Sequence, residues 1–128
     1  MPSYPEDLKY SVEHEWVRGG NGKTVRIGVT EYAAEQLGDI VFVSLPAVGD
    51  PVEAGDSCGE LESTKSVSDL FSPVPGVVSA VNDLLASTPE TINSDPYGDG
   101  WLFELDLTEE ADLDGLLDAD AYADQVDA

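Results

Sequence analysis

Residues 59–71 read GELESTKSVSDLF and place Lys65 between two short runs that suit β-strands. The runs cover residues 57–62 and 67–71, and a small polar tip separates them, as expected of a hairpin with a tight connection. Lys65 is also the only Lys or Arg after Arg26. A lysine on a turn ordinarily just keeps its charge in water. Its isolation in an intensely acidic stretch predicts instead that the amine of Lys65 has a specific use.

Turn-forming residue pairs lie almost evenly on either side of this lysine. A Gly-Asp pair stands at residues 55–56 and a Pro-Gly pair at residues 75–76, and both pairs are typical of tight turns. Two strand-and-turn halves would therefore meet with Lys65 at their shared tip. The arrangement resembles the lipoyl/biotinyl carrier fold, in which a flattened sandwich presents one lysine on a turn for acylation by a cofactor. Biotin acceptors of that family place Met on both sides of the lysine, whereas Thr64 and Ser66 stand here, so the lipoyl alternative is favoured.

Length and charge limit the class of protein. A chain of 128 residues suits one domain with a real hydrophobic core. Its formal net charge of -22 argues against binding to nucleic acids or to anionic membranes, since both require basic surfaces. No apolar run reaches membrane-spanning length. Because Cys58 is the single cysteine and no charged and apolar leader precedes the domain, we expect a soluble, cytoplasmic protein. We also expect it to be a monomer.

The excess of acidic residues has three possible meanings: a surface adapted to concentrated salt, a mimic of nucleic acid, or a binder of divalent cations. The acids are scattered through nearly every segment, and no calcium-loop pattern is present. At molar salt the Debye length falls to about 3 Å, which screens the mutual repulsion of such a surface. We therefore expect a salt-adapted surface and a halophilic source, without any consequence for the activity.

Segments before the lysine hairpin alternate between strand and helix patterns. Thr30 is a suitable helix cap and Gly38 a suitable helix end. The almost wholly apolar run that follows predicts a strand buried on both faces. In chain order the expected elements are a strand over residues 8–18, a strand over 24–29 that forms a hairpin with it, a helix over 31–37 and the apolar strand over 40–45.

Segments after the hairpin continue the β pattern and end in helix. Thr88 followed by Pro89 predicts a capped helix start. In chain order we expect a strand over residues 74–81, a turn over 82–85, a short helix through Ile92 and a strand over 102–107. One or two amphipathic C-terminal helices follow, with an acidic outer face and apolar residues at helical spacing, namely Leu113, Leu116, Leu117, Ala121, Tyr122 and Val126.

Three further blocks resemble the glycine cleavage H-proteins, a specialised group of lipoyl carriers. The blocks are KYSVEHEWV at residues 9–17, TEYA followed by LGDIVFV within residues 30–43, and PYG followed by GW within residues 96–101. Ordinary lipoyl domains of 2-oxoacid dehydrogenases lack the last block. The resemblance covers about residues 10–125. It implies one domain over residues 1–128, of mainly β, barrel-sandwich hybrid fold with a few short helices, divided into a lead-in (1–7), a β core (8–108) and a helical segment (109–128).

The resemblance also assigns roles to individual residues. It implies that Lys65 is lipoylated through an amide bond, and that Glu62, Asp69 and Gly49 match positions that the lipoylating enzyme recognises. Each has a plainer alternative, since Gly49 suits a turn and the two acids suit a solvated surface. The resemblance places His14 near the cleft that shelters the loaded arm, although an ordinary strand histidine is the alternative.

The chain contains no recognisable catalytic or metal-binding motif, so we expect a carrier and not an enzyme. Cys58 is expected to be a small buried hydrophobe. The resemblance implies four partners: a pyridoxal-phosphate glycine decarboxylase, a tetrahydrofolate-dependent aminomethyltransferase, an FAD-dependent dihydrolipoyl dehydrogenase, and a lipoate ligase or lipoyl transferase. Two alternatives stay open at this point, a lipoyl relay that serves 2-oxoacid dehydrogenases and an interaction module that is not lipoylated.

Overall fold

The computed structural model describes Pro5 and residues 7–11, 14–19, 24–107 and 116–127. In these residues the chain forms two antiparallel sheets and four short helices. The elements, in chain order, are β1 (Lys9–Tyr10), β2 (Glu15–Gly19), β3 (Thr24–Val29), α1 (Glu31–Leu37), β4 (Ile40–Ser44), β5 (Pro51–Val52), β6 (Ser57–Ser63), β7 (Val67–Phe71), β8 (Gly76–Val81), α2 (Leu84–Ser87), α3 (Thr91–Ser94), β9 (Phe103–Leu107) and α4 (Ala119–Asp127).

The larger sheet has six strands in the order β1-β2-β3-β9-β8-β5, and the smaller sheet has the order β4-β6-β7. The main hydrophobic core combines buried residues of both sheets, for example Ile27 and Leu105 from the larger sheet with Leu61 and Leu70 from the smaller one. The mainly β fold with a few short helices that the sequence predicts is therefore confirmed. The lysine hairpin is formed by β6 and β7, which pair antiparallel within the smaller sheet.

A second hydrophobic cluster packs the C-terminal helix against the first two strands. It contains Leu8, Tyr10, Trp16, Ala119 and Tyr122, all of them buried. This C-terminal helix was expected, but Leu117 pairs with Tyr10 as an isolated β-bridge instead of lying on it. Leu113 lies outside the described residues.

The Pro-Tyr-Gly loop fastens the larger sheet to the start of α1. The indole nitrogen of Trp16 donates a hydrogen bond to the carbonyl oxygen of Pro96 at 2.8 Å. The guanidinium of Arg18 donates to the carbonyl of Tyr97 at 3.0 Å, and the Tyr97 hydroxyl accepts from the backbone N–H of Glu31 at 3.1 Å. These contacts give the loop motif a structural role.

The single strand expected over residues 8–18 is wrong. The segment forms β1 and β2, which pair with each other antiparallel, with Tyr10 opposite Trp16. The chain must reverse between them, and it does so with His14 at a φ of 71°, in the left-handed region where histidine is one of the better tolerated residues. The hairpin of β2 with β3 is confirmed.

The expected burial of the strand over residues 40–45 is also wrong. Val41 and Phe42 of β4 are 50% and 57% exposed. The strand lies at an edge of the smaller sheet, and its register with β6 shifts between Ile40 and Phe42. The apolar run therefore forms an edge strand with exposed side chains and is not buried on both faces.

Helix α1 follows its predicted signals closely. The Thr30 hydroxyl accepts a hydrogen bond from the backbone N–H of Ala33, and the helix ends at Gly38. The predicted cap at Thr88 is wrong, because α3 begins only at Thr91 and the Thr88 hydroxyl donates to the carbonyl of Leu84 at 3.0 Å. The hydroxyl thus closes the end of α2 instead of opening the next helix.

Candidate functional site

Ser63 organises the tip of the lysine hairpin. Its backbone N–H donates to the carbonyl of Ser66 at 2.8 Å, which closes the turn between β6 and β7. Its hydroxyl donates to the same carbonyl at 3.0 Å and accepts from the N–H groups of Ser66 at 3.1 Å and Lys65 at 3.3 Å. Ser63 is buried while Lys65 is exposed. A short buried hydroxyl therefore holds the backbone that presents the lysine.

The lysine hairpin rests on the segment that ends helix α1. The N–H of Thr64 donates to the carbonyl of Asp39 at 3.1 Å. The stem of Lys65 lies over Gly38, where a Cβ atom would come within 3.2 Å of Cε of the lysine. Gly38 also has a φ of +83°, which disfavours any side chain. Glycine at this position therefore gives the lysine stem its path over the end of α1.

Asn93 of α3 holds this same segment from the other side. Its side-chain nitrogen Nδ2 donates to the carbonyl of Gly38 at 2.8 Å, and its Oδ1 accepts from the N–H of Ile40 at 2.9 Å. Both bonds together fix the two peptide groups that flank Asp39. Sequence analysis missed Asn93, since an asparagine in a turn-rich segment carries no signal of a contact with residues so far away in the chain.

A cleft of about 250 Å³ opens beside the lysine hairpin. Its walls combine α1, the start of β2 and the lysine hairpin, through Tyr32, Ala33, Gln36, Leu37, His14 and Ser68. The ring of His14 lies 5.0 Å from that of Tyr32, centroid to centroid. The cleft adjoins the lysine hairpin, because Ser68 of β7 lines it and Leu37 of its wall directly precedes Gly38, over which the lysine stem lies. The structure thus brings His14 and the lysine hairpin to one site.

Two of the three predicted recognition residues share one sheet face. Glu62 of β6 pairs with Val67 of β7, and Glu60 pairs with Asp69, so that all four side chains lie on the same side of the smaller sheet. All four are exposed. This face is both acidic and partly apolar, and it runs up to the lysine tip.

Gly49, the third of them, lies in the turn before β5. Its φ is +96°, and its N–H donates to the carbonyl of Val78 at 2.7 Å. It thus belongs to the edge of the larger sheet, while Glu62 and Asp69 lie in the smaller one. A structural reason for glycine is clear at this position.

Cys58 is half-buried on β6. Burial first of all, and then the negative charges of Glu15 and Asp56, raise the pKa of its thiol from 9.0 to about 12. The thiol is therefore protonated at neutral pH and is a poor nucleophile. Cys58 packs against the main core but is only half-buried, so the full burial expected of it is not observed.

Comparison with known proteins decides the family of the chain. The family model described as "Glycine cleavage H-protein" matches residues 8–128. The chain belongs to the glycine cleavage H-protein family. The glycine cleavage system H protein of Micrococcus luteus is 56% identical over 124 residues, covering 96% of this chain and 97% of that protein. The corresponding protein of Mycobacteroides abscessus is 55% identical over 131 residues, covering 99% and 100%.

The solved structures agree with this family. A crystal structure of a glycine cleavage system H protein from Mycobacterium marinum matches with a TM-score of 0.88 at 45% identity, covering 98% of this chain and 100% of that chain. As an H-protein, the chain is a carrier component of the glycine cleavage system. The resemblance drawn from the three sequence blocks and the lysine hairpin is thereby confirmed at the level of the family.

Across the described ranges, no group of three or more His, Cys, Asp or Glu side chains is placed to hold a metal ion. In the same part of the chain, no helix is both long and apolar enough to cross a membrane.

Proposed function

We propose that this H-protein carries a lipoyl group in amide linkage on Lys65 and passes the aminomethyl group of glycine between enzymes of the glycine cleavage system. One observation carries the proposal: Lys65 is exposed at the hydrogen-bonded tip of its hairpin, and its stem lies over Gly38, which directly follows the cleft residue Leu37. A lysine kept only for solubility has no need of such a path. The family membership supports the same conclusion.

The cleft suits an acyl arm attached to Lys65. Ala33, Leu37 and the ring of Tyr32 offer apolar contact to a hydrocarbon chain, and His14 and Gln36 offer polar contact. When bound, the lipoyl group supplies a dithiolane sulfur that accepts the aminomethyl group. The residues of the chain hold the arm against the wall and keep water from it, which protects a labile cargo. We assign His14 to this cleft wall.

We propose that Glu62 and Asp69 guide the lipoylating enzyme, a lipoate ligase or a lipoyl transferase. Their support is their exposure on the face that runs up to Lys65. Gly49 is proposed for the same role on the family resemblance, although its turn conformation explains it equally well.

The proposed cycle has three further partners. A pyridoxal-phosphate glycine decarboxylase loads the arm, a tetrahydrofolate-dependent aminomethyltransferase unloads it, and an FAD-dependent dihydrolipoyl dehydrogenase reoxidises it. The carrier itself catalyses none of these steps. Its monomeric state and its cytoplasmic location stay predictions.

The test is the mass of the protein produced beside a lipoylating enzyme with lipoate supplied. We expect one lipoyl increment, found in the peptide that contains Lys65 and absent from the peptide that contains Lys9. The Lys65→Arg variant keeps the charge but cannot be acylated, and should stay unmodified. An unmodified Lys65 both here and in protein from the natural host would overturn the carrier mechanism.

The same assay tests the recognition face with a matched pair of variants. Glu62→Gln and Glu60→Gln remove equal charge from exposed positions two residues apart on one strand face. We expect slower lipoylation for Glu62→Gln than for Glu60→Gln. Equal rates for the two variants would reduce the role of Glu62 to its share of the general surface charge.

A further inference from the structure

The hydroxyl of Tyr122 connects the C-terminal helix to the cleft. Tyr122 is fully buried on α4, and its oxygen lies 2.7 Å from Nδ1 of His14 and 2.8 Å from the hydroxyl oxygen of Thr30. His14 lines the cleft and Thr30 caps α1, which supplies most of the cleft wall. One buried hydroxyl therefore joins three elements at the site.

The direction of these hydrogen bonds follows from the surroundings of Thr30. The Thr30 oxygen already accepts from the N–H of Ala33 at 3.2 Å, and Thr30 is fully buried. Its hydroxyl hydrogen finds an acceptor in the Tyr122 oxygen, and the opposite direction would leave that hydrogen buried without a partner. A Tyr122 oxygen that accepts from Thr30 still has its own hydrogen to donate, and Nδ1 of His14 lies 2.7 Å from it. If Nδ1 accepts that hydrogen, the hydrogen of the neutral ring belongs to Nε2.

Neighbouring contacts hold this arrangement in place. The carbonyl of His14 accepts from the N–H of Thr30 at 3.0 Å, so these two residues are joined through the backbone as well as through Tyr122. The ring of Tyr122 stacks on that of Tyr10 with 4.9 Å between centroids, and it meets the His14 ring edge-on at 5.7 Å. His14 reaches this position from a left-handed backbone conformation, with a φ of 71°, which histidine tolerates better than most residues.

We propose that Tyr122 is a positioning residue that holds His14 in the Nε2–H tautomer and in one orientation at the cleft wall. The C-terminal helix thereby becomes part of the site instead of serving only as a cover for β1 and β2. The benefit to a bound arm rests on the proposed function, whereas the tautomer itself is a property of the unmodified protein.

The test uses the fact that His14 is the only histidine of the chain. Protein labelled with nitrogen-15 at histidine, and not lipoylated, is examined by NMR at a pH at which titration shows the ring to be neutral. We expect Nδ1 to resonate as an unprotonated ring nitrogen and Nε2 as a protonated one. In Tyr122→Phe, which keeps the ring and removes the hydroxyl, we expect both resonances to shift toward an average of the two tautomers.

The control variant is Tyr10→Phe, which removes a hydroxyl from the ring stacked on Tyr122. That hydroxyl donates to the carbonyl of Pro5 at 2.6 Å, so its loss should leave the His14 spectrum unchanged. The proposal is overturned by an Nδ1–H tautomer in the unaltered protein, by identical spectra for the protein and Tyr122→Phe, or by equal shifts in both variants. Because no lipoate is present, failure here is separate from failure of lipoylation at Lys65.

Discussion

Short polar side chains decide the local geometry of this carrier. Ser63 makes three hydrogen bonds through one hydroxyl at the base of the lysine turn. Alanine at this position would leave the N–H groups of Lys65 and Ser66 without this acceptor. The presentation of the lysine thus depends on its small neighbour as much as on the strands.

Cys58 provides a pH-dependent test at the scale of one residue. The pKa of its thiol is raised from 9.0 to about 12, chiefly by burial. Between these values the unfolded chain loses the thiol proton while the folded chain retains it, so the unfolded state binds fewer protons. The free energy of unfolding should therefore fall as pH rises from 9.0 toward 12. Denaturant titrations across this range measure the fall.

The matched variant is Cys58→Ala, which removes the titrating group. Other groups that ionise at high pH are common to both proteins, so the difference between their stability curves isolates the thiol. We expect the two curves to converge as pH rises. Parallel curves would mean that the thiol ionises in the folded protein as it does in the unfolded chain.

Lys65 could be singled out from the sequence, but the residues that hold the site in place through hydrogen bonds could not. Lys65 stands out because cations are so scarce, and the hairpin around it follows from local strand and turn preferences. Asn93 and Tyr122 act on residues that lie far away in the chain, so their roles depend on the tertiary fold. Such contacts cannot be predicted from composition and residue spacing.

At the scale of elements, the segment between α1 and β4 is the seat of the lysine hairpin. On one side, the Asn93 side chain forms hydrogen bonds with Gly38 and Ile40. On the other side, the carbonyl of Asp39 accepts a hydrogen bond from the N–H of Thr64. Helix α3 is only four residues long. The helix contributes Ile92, which is fully buried in the main core, and this pair of bonds made by Asn93.

Replacing Asn93 with alanine should make local opening of the segment between α1 and β4 easier. Two lost hydrogen bonds of about 1 kcal/mol each make local opening easier, so the Thr64 amide should exchange its hydrogen up to about thirtyfold faster. Hydrogen exchange followed by NMR measures this rate. We also expect global stability to fall by about 1–3 kcal/mol in a denaturant titration.

Asn82 offers the control for this prediction. Its side chain donates to the carbonyls of Asp99 and Trp101 at 2.7 Å each and accepts from Leu84, so it fixes a different loop. Asn82→Ala should lower the global stability by a similar amount. It should not make local opening around Thr64 easier, so the exchange of the Thr64 amide through local opening should keep its rate. Equal acceleration in the two variants would show that Thr64 exchanges only through global unfolding.

The arrangement of the strands explains why two predictions from the sequence were wrong. The run of apolar residues in β4 predicted burial, because local pattern does not distinguish a central strand from an edge strand. Likewise, the N-terminal segment has strand-forming residues throughout, and the reversal at His14 carries no Gly or Pro to mark it. Both errors concern how strands are arranged and not whether they form.

At the scale of the whole molecule, charge dominates. Five Lys and Arg cannot pair with 27 Asp and Glu, so most of the acids have no cation of their own. Nε of Arg26 lies 2.9 Å from Oε2 of Glu104 in an ion pair. The same guanidinium also lies over the ring of Trp101, with Cζ 4.3 Å from the ring centroid. Such pairs stabilise the sheet locally, but they leave the mutual repulsion of the surface almost unchanged.

Added salt should therefore stabilise the fold. We expect the Tm to rise steadily from about 0.1 M to about 1 M KCl, over which the Debye length falls from about 10 Å to about 3 Å. Calorimetry or circular dichroism gives the Tm. The triple variant Glu35→Gln, Glu53→Gln and Glu90→Gln removes three exposed charges and should show a smaller rise. A Tm that does not depend on KCl would contradict this prediction, and the salt-rich habitat with it.

The attachment of the hairpin tip to Asp39 has a consequence for traffic between the proposed partners. Because Thr64 and Ser63 tie the tip down, the reach of the carrier is set by the lysyl arm alone and not by a swinging loop. Every enzyme that uses the arm must then approach the same small area of the surface, and two of them cannot occupy it together. Under the proposed function, the time for which each enzyme stays bound to the carrier would limit the turnover of the pathway as much as the chemistry of that enzyme does.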